Sequence, residues 1–179
     1  MNHIVLGSNW GPNMNRTWEF VLRSLMIGAG ATALIDLWAL LLKLFGVSSL
    51  KFALLGRWLG HLFDGRWSHE SIAKAEPIRG ELWIGWFAHY SIGVTFAALL
   101  LSLNGPEWAQ NPTLLPALIM GIVTVTAPLF VLQPALGAGI ASSKTPRPVF
   151  NSFKSLLTHT VFGFGLYLAA LATAWLIPA

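Results

Sequence analysis

Residues 82–103 read LWIGWFAHYSIGVTFAALLLSL. The run contains no Lys, Arg, Asp or Glu, and a helix of about 20 mostly apolar residues is what crosses a bilayer. Working outward, three further stretches qualify, at about 18–45, 113–136 and 153–177. The first is longer than a span requires, so a tilt or a protruding end is expected. None has a short apolar core followed by an A-x-A cleavage pattern. The rest of the chain cannot cover these helices as a soluble core would. Of its 179 residues 55% are hydrophobic and 10% charged, where soluble domains carry roughly 25% charged. The expected fold is an all-α, four-span transmembrane helix bundle, with residues 1–179 forming a single integral-membrane domain. The chain has no cysteine, which excludes disulfides, thiolate metal sites and cysteine nucleophiles.

Lys and Arg set the expected orientation. Four spans put both termini on one side, with Arg16 and Arg23 and no basic residue in the 104–112 loop. Lys43, Lys51, Arg57, Arg66, Lys74, Arg79, Lys144, Arg147 and Lys154 fall on the other side. This bias makes that side cytoplasmic and the termini non-cytoplasmic. The net charge of +4 is then a topology signal. The basic residues do not form the groove-binding patch that nucleic acid would need, so no nucleic-acid partner is expected. Trp10, Trp18, Trp108 and Trp175 fit the outer interface, and Trp83 and Trp86 the inner one. Asn104-Gly105-Pro106 and Asn111-Pro112-Thr113 are turn signals that close the outer loop.

Residues 47–63, VSSLKFALLGRWLGHLF, are too short and too charged to span. Leu55, Trp58, Leu59 and Leu62 share one helical face, and Arg57, His61 and Asp64 another. Ser49, Ala53, Gly56 and Gly60 form a small-residue stripe. The pattern suits an amphipathic interfacial helix whose small stripe packs against a span. A sharper reading makes Arg57 and His61 a cytoplasmic gate. From residue 64 to 81 the chain turns polar and reads as solvated loop, with His69 and Glu70 on its surface.

The spans carry few polar residues. Gly85, His89 and Gly93 match Ser155, His159 and Gly163 in spacing, with an offset of 70 residues. Members of each trio share one helix face. The match suggests two tandem helical hairpins, as in parallel transporter repeats. The first span has Gly28, Thr32 and Asp36 on one face, and the third has Thr126 and Gln133, interrupted by Pro128 and Pro134. Asp36, His89, His159 and Gln133 all fall in the cytoplasmic half, one per span. An ionised carboxylate in hydrocarbon costs about 2.5–3.5 kcal/mol on insertion scales. Asp36 should therefore face inward and find a partner, and His89 has the matching depth. The plain alternative is that these groups only hold helices together, at about 0.6 kcal/mol each.

The stretches ALIDLWALLLK, ALLGRWLGH, HYSIGVTFAALLL, PTLLPALIMGIVTVTAP, LQPALGAGIASSKTP and LLTHTVFGFGLYL together resemble a bacterial integral-membrane family, domain of unknown function 2938. The resemblance covers about residues 28–172. It implies a small bacterial inner-membrane protein with four spans, and it implies no activity, substrate or catalytic residue.

Three functions compete on these residues. In the first, Asp36, His89, His159 and Gln133 form a buried polar cluster of a proton-coupled or proton-responsive small-solute carrier. Four spans are few for a carrier, so a homodimer is expected there. In the second, His89 and His159 ligate one haem b, or with Asp36 hold a divalent metal. In the third, the chain is a non-catalytic subunit or assembly factor of a membrane complex. An enzyme of soluble type is not expected, since no G-x-S-x-G, P-loop, Rossmann fingerprint or H-E-x-x-H occurs.

Overall fold

The computed structural model describes residues 16–47 and 51–178. The expectations placed on Trp10 and Ser49 lie outside the described residues. Helix α1 is Arg16–Leu44, α2 is Phe52–Phe63 and α3 is Glu81–Gln110. Helix α4, Leu114–Thr124, leads through a π-helical turn, Pro128–Leu132, into the short α5, Gln133–Ala135. Helix α6 is Pro148–Leu176. Short 3-10 turns occur at Ile72–Lys74 and Ile140–Ser142. Among the described residues four helical segments are long and apolar enough to cross a membrane: Thr17–Leu44, Glu81–Gln110, Leu114–Ala135 and Pro148–Leu176. Large apolar side chains such as Leu37, Leu40, Leu103, Ile119 and Leu168 point outward. That surface fits lipid and would be a liability in water.

The spans form an arc in the order α3, α1, α6, α4. Helix α1 packs on both α3 and α6, α6 packs on α4, and α3 and α4 touch only slightly. Small residues allow the close crossings. A Cβ at Gly28 would collide with the backbone of Val94, and one at Gly93 with the Thr32 hydroxyl. A Cβ at Gly163 would lie 2.9 Å from Leu118 Cα. Inside the arc Ile27, Ala31, Ala97, Leu100, Leu101, Phe162, Leu166 and Ala170 form the core.

Two breaks differ from the expected boundaries. Gly105 takes a left-handed φ of 77°, which ends the regular part of α3 where the turn signal lies. Pro106 then starts a last helical turn that runs to Gln110, because its fixed φ suits a first helical position. The linker to α4 is therefore shorter than the 104–112 loop read from sequence. Trp108 is only 7% exposed and donates Nε1–H to Thr113 O at 3.3 Å, so it is a core residue and no interface anchor. In the third span, Pro128 and Pro134 each lack the N–H that a helix needs four residues upstream. The backbone widens there into a π turn, closed by Gln133 N–H donating to Pro128 O.

The segment after α2 is packed, where the sequence reads as solvated loop. His69 N–H donates to Ala135 O at 2.9 Å and Ile72 N–H to Leu136 O at 3.1 Å. Ile72 is buried. Gly137, at φ 93°, admits the Glu70 carbonyl where a Cβ would collide.

Candidate functional site

The stripe Gly28, Thr32, Asp36 runs down α1 toward its α2 end. Thr32 donates back to Gly28 O at 2.7 Å, which leaves Asp36 as the stripe's free acceptor. Its Oδ1 lies 3.0 Å from His89 Nε2, and its Oδ2 accepts the Tyr90 hydroxyl at 3.0 Å. A carboxylate only accepts, so Nε2 of His89 carries the donated proton. Phe52 of α2 stacks on this group, with ring centroids 4.5 Å from His89 and 4.3 Å from Trp86. The Asp36 and His89 side chains are 21% and 18% exposed, so the pair is half-buried and open on one side.

His159 Nδ1 lies 3.0 Å from Thr124 Oγ1. The Thr124 hydroxyl already donates to Gly121 O at 2.7 Å. It therefore accepts from His159, whose Nδ1 carries the proton. The repeated trios thus occupy similar settings. Gly93 meets α1 beside the His89–Asp36 bond, and Gly163 meets α4 beside the His159–Thr124 bond.

Both histidines line one cavity of about 410 Å³, together with Thr32, Asp36 and Lys154. Its other walls are largely apolar and include Phe52, Leu55 and Trp58 of α2 and Pro128 and Val131 of the π turn.

Gln133 stands apart from the cavity. It donates to Ser155 Oγ at 3.2 Å and accepts from Ser142 Oγ at 2.9 Å. It ties α5 to α6 and to the turn at Ile140–Ser142. Arg57 and His61 sit in a clamp. Arg57 forks onto Glu81, Nε to Oε2 at 2.8 Å and Nη2 to Oε1 at 2.9 Å. Its Nη1 donates to Ile72 O at 3.2 Å and Ala75 O at 2.9 Å. The hydrogen bonds to Glu81 raise the guanidinium pKa further above its ordinary value. Glu81 itself opens α3, where a carboxylate complements the helix dipole. A Cβ at Gly56 or Gly85 would strike the carbonyl of Glu81 or Phe52, so α2 lies directly on α3.

His61 is 1% exposed, and its Nδ1 lies 2.8 Å from His69 Nε2. His69 is thus a docked residue, contrary to its surface reading. Burial, then the charges of His61 and Arg66, hold His69 below the ordinary histidine pKa. A histidine depressed in the docked state binds its proton more readily when released. Docking is therefore complete above the reference of about 6.5 and weakens as pH falls below it. The protection factors of the His69 and Ile72 amides, corrected for the base-catalysed intrinsic exchange rate, are expected to fall from pH 7.5 to 5.5. His69→Gln should abolish most of that difference, and an unchanged pH response in the variant would assign it elsewhere.

Among the described residues no group of three or more His, Asp or Glu could hold a metal ion. The Asp36–His89–His159 trio considered from sequence for a divalent metal is split between two hydrogen-bonded pairs. For a haem, Asp36 already occupies Nε2 of His89 and Thr124 occupies Nδ1 of His159, so different ring nitrogens would be left to ligate.

Over residues 25–173 the chain matches the model of a family described as a protein of unknown function (DUF2938). The chain belongs to this family. No curated protein and no solved structure matches it. The matched stretch of this DUF2938 chain contains the whole cavity wall and the Arg57 clamp.

Sequence reasoning missed four participants. Tyr90 follows His89 directly, about 100° around the helix, so periodicity gives it no shared face with His89. Glu81 and His69 lie in a polar stretch with no regular period. The fourth is the buried ion pair Glu19–Arg23, at the opposite end of the bundle from α2. Arg23 is 0% exposed. The i, i+4 spacing was the available signal, and the positive-inside count masks it by treating Arg23 as a loop charge.

Proposed function

We propose that this chain is a proton-responsive small-solute carrier of the bacterial inner membrane, with its α2 end in the cytoplasm. The observation that carries the reading is the Asp36–His89 pair, which joins α1 to α3 at 3.0 Å in the wall of a cavity of about 410 Å³. The positive-inside bias supports the sidedness, since nine of the eleven Lys and Arg residues fall on the α2 side. An intramembrane carboxylate with a histidine partner is a proton site by its chemistry. With Asp36 ionised, its bonds from His89 and Tyr90 are charge-assisted, about twice as strong as neutral ones. Protonating Asp36 weakens both, and with them the tie between α1 and α3. Solute binding in the cavity and proton binding at the pair are then linked by necessity. A homodimer is the proposed assembly, because one copy contributes only four spans.

The test uses proteoliposomes of the full chain loaded with a pH-sensitive dye. Under an imposed pH gradient, wild-type vesicles are expected to equilibrate faster than empty ones. Asp36→Asn and His89→Ala should each return the rate to that of empty vesicles. Equal rates in wild type and both variants would remove the proposal.

A further inference from the structure

The chemistry of the cavity names a solute class, and this step rests on the carrier reading above. We propose that the site takes a lipophilic organic cation, which enters from the bilayer between α3 and α4.

Size comes first. A volume of about 410 Å³ falls in the roughly 300–1,000 Å³ range of sites for drug-sized molecules. Aromatic rings supply much of the wall: Trp38, Phe52, Trp58, Phe96 and Phe162 all line it. Ring faces carry negative charge density, and Trp is the strongest partner for a cation. Asp36 is the one carboxylate among the lining residues. It accepts from His89 Nε2 and the Tyr90 hydroxyl, and Lys154 is the one Lys or Arg that shares the lining with it. Apolar walls, aromatic faces and a single anion together describe a bulky cation.

The titratable groups around the site set its pH response. Asp36 on α1 faces His89 and Tyr90 on α3, while His159 and Lys154 line the cavity from α6. Lys154 is the opposing charge. It lies five residues before His159, about 7.5 Å nearer the α2 end of α6. Protons on Asp36, His89 or His159 make the site more positive, so cation and proton compete.

The access route follows from the arc of helices. Helices α3 and α4 touch only slightly. Ile92 of α3 and Val131 of the π turn line the cavity and are also 45% and 59% exposed. Both residues thus border the cavity and the outer surface, which places the proposed entry beside them.

The test is equilibrium binding of tetraphenylphosphonium to the purified full chain in detergent, read by the change in tryptophan fluorescence that Trp38 and Trp58 in the cavity wall would contribute. Saturable binding is expected, at least tenfold tighter than for neutral triphenylphosphine oxide and at least tenfold weaker at pH 5 than at pH 8. Asp36→Asn should weaken the cation at least tenfold, and Lys154→Met should tighten it. Because Asp36 also joins two helices, a second variant guards against misfolding. Ile92→Trp enlarges a lipid-exposed side chain and should slow association at least threefold while leaving Asp36 intact. Absent saturable binding, equal affinity for the neutral analogue, or affinity unchanged by Asp36→Asn each overturns the solute class. Association unchanged in Ile92→Trp overturns the lateral route. Proton flux that still depends on Asp36 in the absence of tetraphenylphosphonium binding would retain the carrier reading and remove only the cation, whereas loss of both would remove both.

Discussion

Arg23→Met is expected to destabilise the protein by about 3–5 kcal/mol, the cost of breaking a buried ion pair from one side. Arg23 and Glu19 are 0% and 2% exposed, and Nε of Arg23 donates to Glu19 Oε1 at 2.9 Å. The same guanidinium donates to Ala109 O at 3.2 Å and Ile177 O at 2.7 Å. Those carbonyls sit at the ends of α3 and α6, where the helix leaves its last C=O groups unsatisfied and where a cation complements the dipole. One side chain thus ties three spans together at the end opposite α2. Met fills much of the volume but leaves the Glu19 carboxylate buried beside open carbonyls. The double variant Glu19→Gln, Arg23→Met removes both charges and should recover part of the loss. Thermal unfolding in detergent checks both. A single variant within about 1 kcal/mol of wild type would mean that the pair contributes little beyond its desolvation cost.

The spans were legible because lipid selects for them directly. An apolar run long enough to cross hydrocarbon needs no tertiary information, and 82–103 has no other reading. The Asp36–His89 contact was legible for a related reason: an intramembrane carboxylate must find a partner, and depth along two helices is countable. What failed was anything that depends on how helices pack sideways. Gln133 has the depth of the cavity but turns toward Ser142 and Ser155, because the two prolines rotate the backbone that carries it. Trp108 follows the aromatic-belt rule by position, yet the break at Gly105 folds its helical turn back into the core. His69 reads as surface because its own neighbours are polar, whereas its partners are His61, on the preceding helix, and Ala135, 66 residues away. The π turn in the cavity wall follows from the missing backbone donors of Pro128 and Pro134, which a hydropathy pattern does not register.

The closest α1–α3 crossing gives the other large expected effect, and it reaches the candidate site directly. A Cβ at Gly28 would overlap the Cα of Val94, with the Gly93 carbonyl oxygen at 2.8 Å. Both neighbours are backbone, so neither can rotate away, and the helices must separate. Gly28→Ala should therefore exceed the usual 1–3 kcal/mol of an overpacked core, even though alanine is the better helix former by about 1 kcal/mol. Gly30, two residues along the same helix, provides the control. Its added methyl would meet Ala169 Cβ at 2.9 Å, with Ala169 Cα at 4.0 Å, so α6 must shift, but by less than α3 must beside Gly28. Gly30→Ala should therefore cost less than Gly28→Ala, since the propensity gain offsets part of the contact. The two variants separate packing from composition, because each replaces one hydrogen of α1 by a methyl group. They also probe the site. Asp36 lies two turns beyond Gly28 on the same face, so a displaced α1 lengthens its 3.0 Å bond to His89. Gly28→Ala is accordingly expected to reduce proton flux in vesicles as well as the unfolding midpoint, while Gly30→Ala lowers both by less. Equal midpoints for the two variants would show that α1 and α3 are not held in backbone contact at Gly28.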